Sequence, residues 1–190
     1  MPLENLNRAR IVQALNRLGQ LAEEEGVLVE LCLFGGAAMM LAYAARESTK
    51  DVDAMVKPTD VAARFARQVA TELGLDESWL NREVGRFASE WGTFTPLEIE
   101  ELESTARRHL KITRPSAGYL LAMKCLACRP ELPGHPGDIS DLRFLIRKMG
   151  IRSIQEVESH LDRFYPHDVL SPQARLVIAD LLPRHQGESA

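Results

Sequence analysis

The chain has 190 residues and 21.2 kDa, of which 45% are hydrophobic and 26% charged, the profile of one globular, soluble domain or a small domain with a helical extension rather than a disordered or fibrous chain. Its 23 basic and 27 acidic side chains leave a net charge of −4, which excludes a general nucleic-acid coat or a basic membrane surface. The charge is uneven: residues 1–110 carry 12 Lys/Arg against 18 Asp/Glu, and residues 111–190 carry 11 against 9, a balance compatible with a metal–phosphate site between an acidic and a basic half.

In chain order, Leu3 to Glu25 repeats apolar residues at helical spacing (Ile11, Leu15, Leu18, Leu21) and stops at Gly26, a natural C-cap. Val27 to Phe34 reads as a buried strand ending in Gly35-Gly36, and Ala37 to Ala45 as a helix by propensity. The longest uncharged run, Leu31 to Ala45, has 15 residues, short of the roughly 20 that span a membrane. Asp51 to Val56 alternates and ends before Pro58, a second strand; Thr59 or Asp60 is placed to cap a helix that Gly74 closes. Residues 75–94 carry the weakest pattern, with short strands expected around Val84–Phe87 and Trp91–Phe94. Thr95-Pro96-Leu97-Glu98 reads as a capping box opening a helix toward Arg108, and His109 to Thr113 as a strand stopped by Pro115.

From Ser116 onward the pattern is helical. Ser116 caps a helix through Cys128, Asp138 starts one ending at Met149-Gly150, Ser153 with Glu156 forms a capping box, and Ser171-Pro172 opens the last helix. Residues 129–137 form a Pro/Gly-rich loop, and Gln186 to Ala190 a frayed tail. The start, MPLENLNRAR, has no signal-peptide core, and three cysteines argue against a disulfide framework. A cytoplasmic protein with reduced thiols is expected.

The sharpest chemistry lies in Leu33-Phe34-Gly35-Gly36, a helix, Arg46, Thr49, then Asp51-Val52-Asp53. A strand places i and i+2 on one face, so Asp51 and Asp53 point together. Paired carboxylates repel unless a cation joins them, and Mg²⁺ takes such hard oxygen ligands while leaving positions for water and phosphate. A glycine pair at a helix start lets the backbone N–H groups approach a phosphate closely.

The run GGAAMMLAYAARESTKDVDAMV resembles the signature of the polymerase-β-like nucleotidyltransferase superfamily, nearest the small bacterial branch that includes toxins of abortive-infection toxin–antitoxin pairs. The resemblance implies that Gly35 and Gly36 contact the triphosphate of an NTP, that Asp51 and Asp53 bind Mg²⁺, and that Arg46 and Thr49 brace the site. A second stretch, LLAMKCLACR followed by GDISDL, is similar to the branch's later helices. It implies that Lys124 reaches the triphosphate and that Asp138 sits near the site, with Asp141 secondary. Read from the residues alone, Lys124 is a lone ammonium among Leu120, Leu121, Met123 and Leu126, needing an anionic partner or a route to water. Asp138 doubles as a helix N-cap, and Asp141 favours the helix dipole and a pairing with Arg. The chain departs from the pattern at Ala37, where many members have Ser or Thr, at Gly137, where a basic residue is common, and in having no evident third metal carboxylate: Glu98 and Glu100 read as helix-start residues.

Other signals are weaker. Cys125-x-x-Cys128 reads as two small core residues, a zinc site needing Cys32 and His135 to converge on them. His109, His135, His160, His167 and His185 form no ligand pattern. Arg143, Arg147, Lys148 and Arg152 form a solvated face or an RNA or acidic-partner contact. Trp79, Trp91 and the phenylalanines are expected in the core.

The expected fold is α/β: a nucleotidyltransferase-like short mixed sheet with flanking helices over residues 1–114, and a helical subdomain over 115–190 closing the nucleotide cleft. The expected activity is Mg²⁺-dependent transfer of a nucleoside monophosphate from an NTP to an acceptor (an RNA such as tRNA, a protein or a small molecule), with an antitoxin as a possible partner and no membrane. The alternatives are a catalytically degenerate relative that binds a nucleotide or a partner, and a DxD glycosyltransferase, which normally needs a longer chain.

Overall fold

The structure, a computed structural model, describes residues 5–131 and 137–183. It opens with a two-residue strand β1 (Leu6–Asn7) and helix α1 (Arg8–Glu24). Asn7 caps α1 by accepting the Arg10 amide proton, so the helix starts well after Leu3, which lies outside the described residues. Strand β2 (Val29–Leu33), helix α2 (Gly35–Tyr43) and the short strands β3 (Ser48–Thr49) and β4 (Val52–Lys57) follow. Helix α3 (Thr59–Leu73) ends at Gly74, whose φ is +63°. Neither Thr59 nor Asp60 caps it: both lie inside the helix, Pro58 holds the cap position, and the Thr59 hydroxyl donates to the Val56 carbonyl.

Next come β5 (Leu80–Asn81), a 3₁₀ turn over Glu83–Arg86, β6 (Phe94–Pro96), α4 (Ser104–His109) and β7 (Leu110–Pro115). Two expectations are corrected here. Val84–Phe87 is not a strand, because its amides bond locally, Phe87 N–H to the Val84 carbonyl at 3.0 Å. Thr95-Pro96-Leu97-Glu98 does not open a helix. Thr95 and Pro96 pair with Arg114 and Thr113 of β7, and the Leu97 amide donates to the Ile112 carbonyl at 2.9 Å. A ladder with a distant strand outcompetes the local capping box, and Glu98 and Glu100 precede the helix that Ser104 begins.

The main sheet has the order β5-β4-β2-β7-β6. Strand β2 is antiparallel to β4 and parallel to β7, β5 is parallel to β4, and β6 antiparallel to β7, a mixed sheet in an α/β fold. Strands β1 and β3 pair separately. Alternation sends Leu31, Leu33, Ala54, Val56 and Ile112 to one face, where they join Ile11, Leu15 and Leu18 of α1 and Phe65 and Val69 of α3 in one buried cluster. The other face carries the half-buried Cys32, Asp53, Met55 and Thr113. Trp79 is fully buried, its indole N–H donating to the Ala66 carbonyl at 2.9 Å. Trp91, Phe87 and Phe94 are not core residues: they are 52%, 68% and 41% exposed.

The chain divides into two compact units, one comprising the residues up to Ala88 with Phe94–Pro115, the other Ser89–Thr93 with the residues from Ser116 on. Ser89–Thr93 joins the second unit through long-range bonds: the Ser89 amide donates to the Tyr119 hydroxyl at 2.6 Å, and the Ser116 amide to the Thr93 carbonyl at 2.8 Å. The second unit's helices are α5 (Ala117–Ala127), α6 (Ile139–Met149), α7 (Ile154–Phe164) and α8 (Pro172–Leu181). Ser116, Ser153 and Ser171 cap α5, α7 and α8, accepting the amides of Tyr119, Glu156 and Ala174. Tyr119 stacks on Phe164 with ring centroids 5.1 Å apart. Arg143, Arg147, Lys148 and Arg152 are all exposed. The proposed fraying at Gln186–Ala190 falls outside the described residues. Among those described, no helix is long and apolar enough to cross a membrane.

Candidate functional site

Strand β2 runs out at Leu33, and the chain enters α2 after a single extended residue, Phe34. So abrupt a turn places Gly35 at φ +55°, a region L side chains rarely adopt. Space is equally restrictive. A Cβ on Gly35 would stand 2.5 Å from Asp53 Oδ2, and one on Gly36 would stand 2.4 Å from Thr49 Oγ1 and 3.3 Å from the Arg46 guanidinium. The glycine pair is thus a contact surface against which the Asp53 carboxylate and the Thr49 hydroxyl lie. The Phe34 amide donates to the Asp53 carbonyl at 2.7 Å, and no side chain caps the N-terminus of α2. Gly35→Ala is expected to lower stability by about 1–3 kcal/mol through backbone strain and to displace Asp53; an unchanged urea midpoint would show that the turn tolerates a side chain.

Asp51 and Asp53 flank Val52 at the start of β4. The Thr49 hydroxyl donates to the Asp51 carbonyl at 3.1 Å, which orients the segment entering the strand. In the neighbouring strand β5, Asn81 stands in register with Asp53. Its Nδ2 donates to Asp53 Oδ1 at 3.0 Å and to Asp51 Oδ2 at 3.3 Å. Within the first unit, therefore, Gly35, Gly36, Thr49, Asp51 and Asp53 come together as the sequence spacing suggests, with Arg46 beside Gly36. Asn81 is the member the sequence reading missed. Its available signal was slight: an apolar pair, Trp79-Leu80, ended by an Asn two residues before Glu83.

Lys124 and Asp138 belong to the second unit, where they form a buried ionic cluster. Lys124 is only 5% exposed, and its Nζ lies 2.6 Å from Asp138 Oδ1 and 2.8 Å from Asp141 Oδ2. Arg129 adds three hydrogen bonds to Asp138: its amide and Nε reach Oδ2 at 3.0 and 2.8 Å, and a terminal guanidinium nitrogen reaches Oδ1 at 3.2 Å. One expectation changes. Asp138 occupies the N-cap position of α6 but its side chain makes no capping bond, because Lys124 and Arg129 claim both oxygens. Asp141 pairs with Lys124. Gly137, at φ +59°, has the Arg129 and Pro130 carbonyl oxygens 2.6 Å from where a Cβ would stand. A basic side chain has no room there, and the guanidinium on Asp138 comes from Arg129.

Burial opposes the charged form of Asp138, but the Arg129 hydrogen bonds and the charge and hydrogen bond of Lys124 prevail and hold its carboxyl at about 2. A depressed folded pKa contributes stability that is present above the unfolded value, about 4, and lost as pH falls toward the folded one. Asp138→Asn is therefore expected to cost about 2–3 kcal/mol at neutral pH, with the deficit shrinking as pH falls from about 4 to about 2. Urea unfolding of both proteins across that range checks it; a deficit constant with pH would contradict the ionic origin.

Burial pushes the Cys125 thiol up to about 12 and Cys32 up to about 11, against a lowering hydrogen bond from Thr113. Cys128 takes the left-handed C-cap of α5 at φ 36°. His135, the further ligand of the zinc alternative, lies outside the described residues. Among the described residues, no group of three or more His, Cys, Asp and Glu side chains converges as a metal site. No family model matches the chain, and no curated protein or solved structure matches it significantly.

Proposed function

We propose that the protein is a nucleotidyltransferase that moves a nucleoside monophosphate from an NTP to a hydroxyl-bearing acceptor with the help of Mg²⁺. The observation that carries this reading is the convergence of the Asp51 and Asp53 carboxylates on a single amide nitrogen, beside the Gly35-Gly36 start of α2. Two carboxylates directed at one position form the hard, anionic oxygen set that Mg²⁺ takes. Asp51 and Asp53 are the residues that would hold it. When bound, the ion supplies Lewis acidity and charge neutralisation to the transferring phosphate.

The chain's own residues have distinct tasks in this reading. Gly35 and Gly36 add no side chain of their own at the helix start, where the N–H groups and the positive end of the α2 dipole favour a triphosphate. Thr49 packs on Gly36 and steadies the entry to β4 through the Asp51 carbonyl. Lys124 enters as a triphosphate contact, and Asp138 as a catalytic residue near the site, through the family resemblance alone. The same resemblance makes a toxin of a toxin–antitoxin pair the biological setting to test, with RNA such as tRNA, protein and small molecules as acceptor classes; fold-level analogy does not choose among them.

A second reading, a degenerate relative that binds a nucleotide or partner without transfer, is favoured by one observation: Lys124 is held between two carboxylates and so has its charge engaged within the protein. Calorimetric titration of the four NTPs with and without Mg²⁺, on wild type and on Asp51→Ala/Asp53→Ala, tests the proposal. Mg²⁺-dependent binding that the double variant loses supports it, and no binding by the wild type overturns it. Binding without transfer to any acceptor class selects the degenerate reading.

A further inference from the structure

Asn81 ends the short strand β5 beside Asp53. Its side-chain carbonyl is committed: Oδ1 accepts the Glu83 amide proton at 3.0 Å, two residues on, in the manner of an Asx turn. That bond decides which way the amide points. The opposite orientation would set a carbonyl oxygen against two carboxylates and an NH₂ group against an N–H. Nδ2 consequently faces the pair, and its two protons match two acceptors, Asp53 Oδ1 at 3.0 Å and Asp51 Oδ2 at 3.3 Å. Asp53 is confined on its other oxygen too, since Oδ2 lies against Gly35. The carboxylates are thereby aimed at one place by a neutral donor, although their charges repel.

The amide in that position occupies the same oxygens a cation would use. We propose that Asn81 is a positioning residue that acts as a placeholder for a divalent cation: its amide holds the Asp51 and Asp53 oxygens when no cation is bound, competes with the cation for them, and so sets the affinity of the pair. The inference rests on the reading of Asp51 and Asp53 as the cation-holding residues. A cation binding there displaces two hydrogen bonds to charged acceptors, which lowers its affinity. Removing the amide protons therefore tightens binding, whereas a residue needed only for the turn after β5 would leave affinity unchanged or weaken it.

Two variants separate these roles. Asn81→Ala deletes both the competitor and the turn. Asn81→Asp keeps an acceptor for the Glu83 amide, so the turn survives, and exchanges the donor for a third carboxylate. With Mn²⁺ as the probe, read by the electron paramagnetic resonance of the free ion, Asn81→Ala is expected to bind about fivefold more tightly than wild type. Asn81→Asp is expected to bind more than about tenfold more tightly, because it adds a hard anionic ligand. Asp51→Ala/Asp53→Ala is expected to lose the site. As a second readout, both Asn81 variants should melt below wild type without metal, and saturating Mg²⁺ should recover most of the difference. Mn²⁺ affinity at or below wild type in Asn81→Ala, with binding still abolished by the double aspartate variant, overturns the role of Asn81 and leaves the reading of the pair intact, whatever Asn81→Asp shows. Mn²⁺ binding that survives the double aspartate variant, or that no variant shows, overturns both.

Discussion

Replacing Lys124 with Met is expected to cost about 3–5 kcal/mol of stability, the usual penalty for leaving buried charge without its partner. The side chains of Asp138 and Asp141 are fully buried, and one ammonium bridges them at 2.6 and 2.8 Å. Met matches the length of the lysine stem, so packing is largely kept and the loss reports on charge. Asp138 retains Arg129, and Asp141 loses its ion-pair contact with Lys124. Adding Asp141→Leu to the variant should recover part of the loss, because apolar replacement of a buried ionic group is often neutral or stabilising. Urea unfolding of the single and double variants measures this, and a loss below about 1 kcal/mol would mean that the carboxylates are hydrated rather than sealed. The result also governs how function is read: an inactive Lys124 variant implicates the lysine in nucleotide contact only if it remains folded under the assay conditions.

The second large effect concerns binding. Asp51→Ala/Asp53→Ala is expected to weaken Mg²⁺–NTP binding by more than about 100-fold, since even residues that merely support metal ligands cost 10–100-fold when changed. Stability should move little. The substitutions give up two hydrogen bonds from Asn81 at 3.0 and 3.3 Å but also remove two like charges directed at one point. Thermal unfolding near wild type together with lost binding would place the effect in the site. Unchanged Mg²⁺-dependent binding would remove Asp51 and Asp53 from any metal role. Asp53→Ala alone should abolish transfer, because its carboxylate is the one seated against the Gly35 start of α2.

Legibility followed the range of the interactions. Gly74 and Gly150 stop their helices at φ +63° and +67°, and Ser116, Ser153 and Ser171 cap theirs through amides three residues on. Each of these is settled within one helical turn, so the spacing of a few letters carries it. The same locality misled at Thr95-Pro96-Leu97-Glu98. The motif is a sound helix start by itself, and only the pairing of β6 with β7 overrides it. Asp138 repeats the lesson in a side chain: it holds the cap position, yet a lysine 14 residues earlier takes its carboxylate.

From the sequence alone, one can derive the alternation of strand and helix, the later run of capped helices, and the grouping of Gly35, Gly36, Thr49, Asp51 and Asp53, because a strand's two-residue period puts the aspartates on one face and the glycines sit at the strand-to-helix turn that leads into their segment. Tertiary structure alone decided three things. It brought Asn81 beside the aspartates through the β4–β5 register, supplied Lys124 with the two anionic partners its burial demands, and drew Ser89–Thr93 away from the sheet unit to join the helices. Each depends on contacts between residues far apart in sequence, formed when packing closes a loop whose ends carry no local mark of one another.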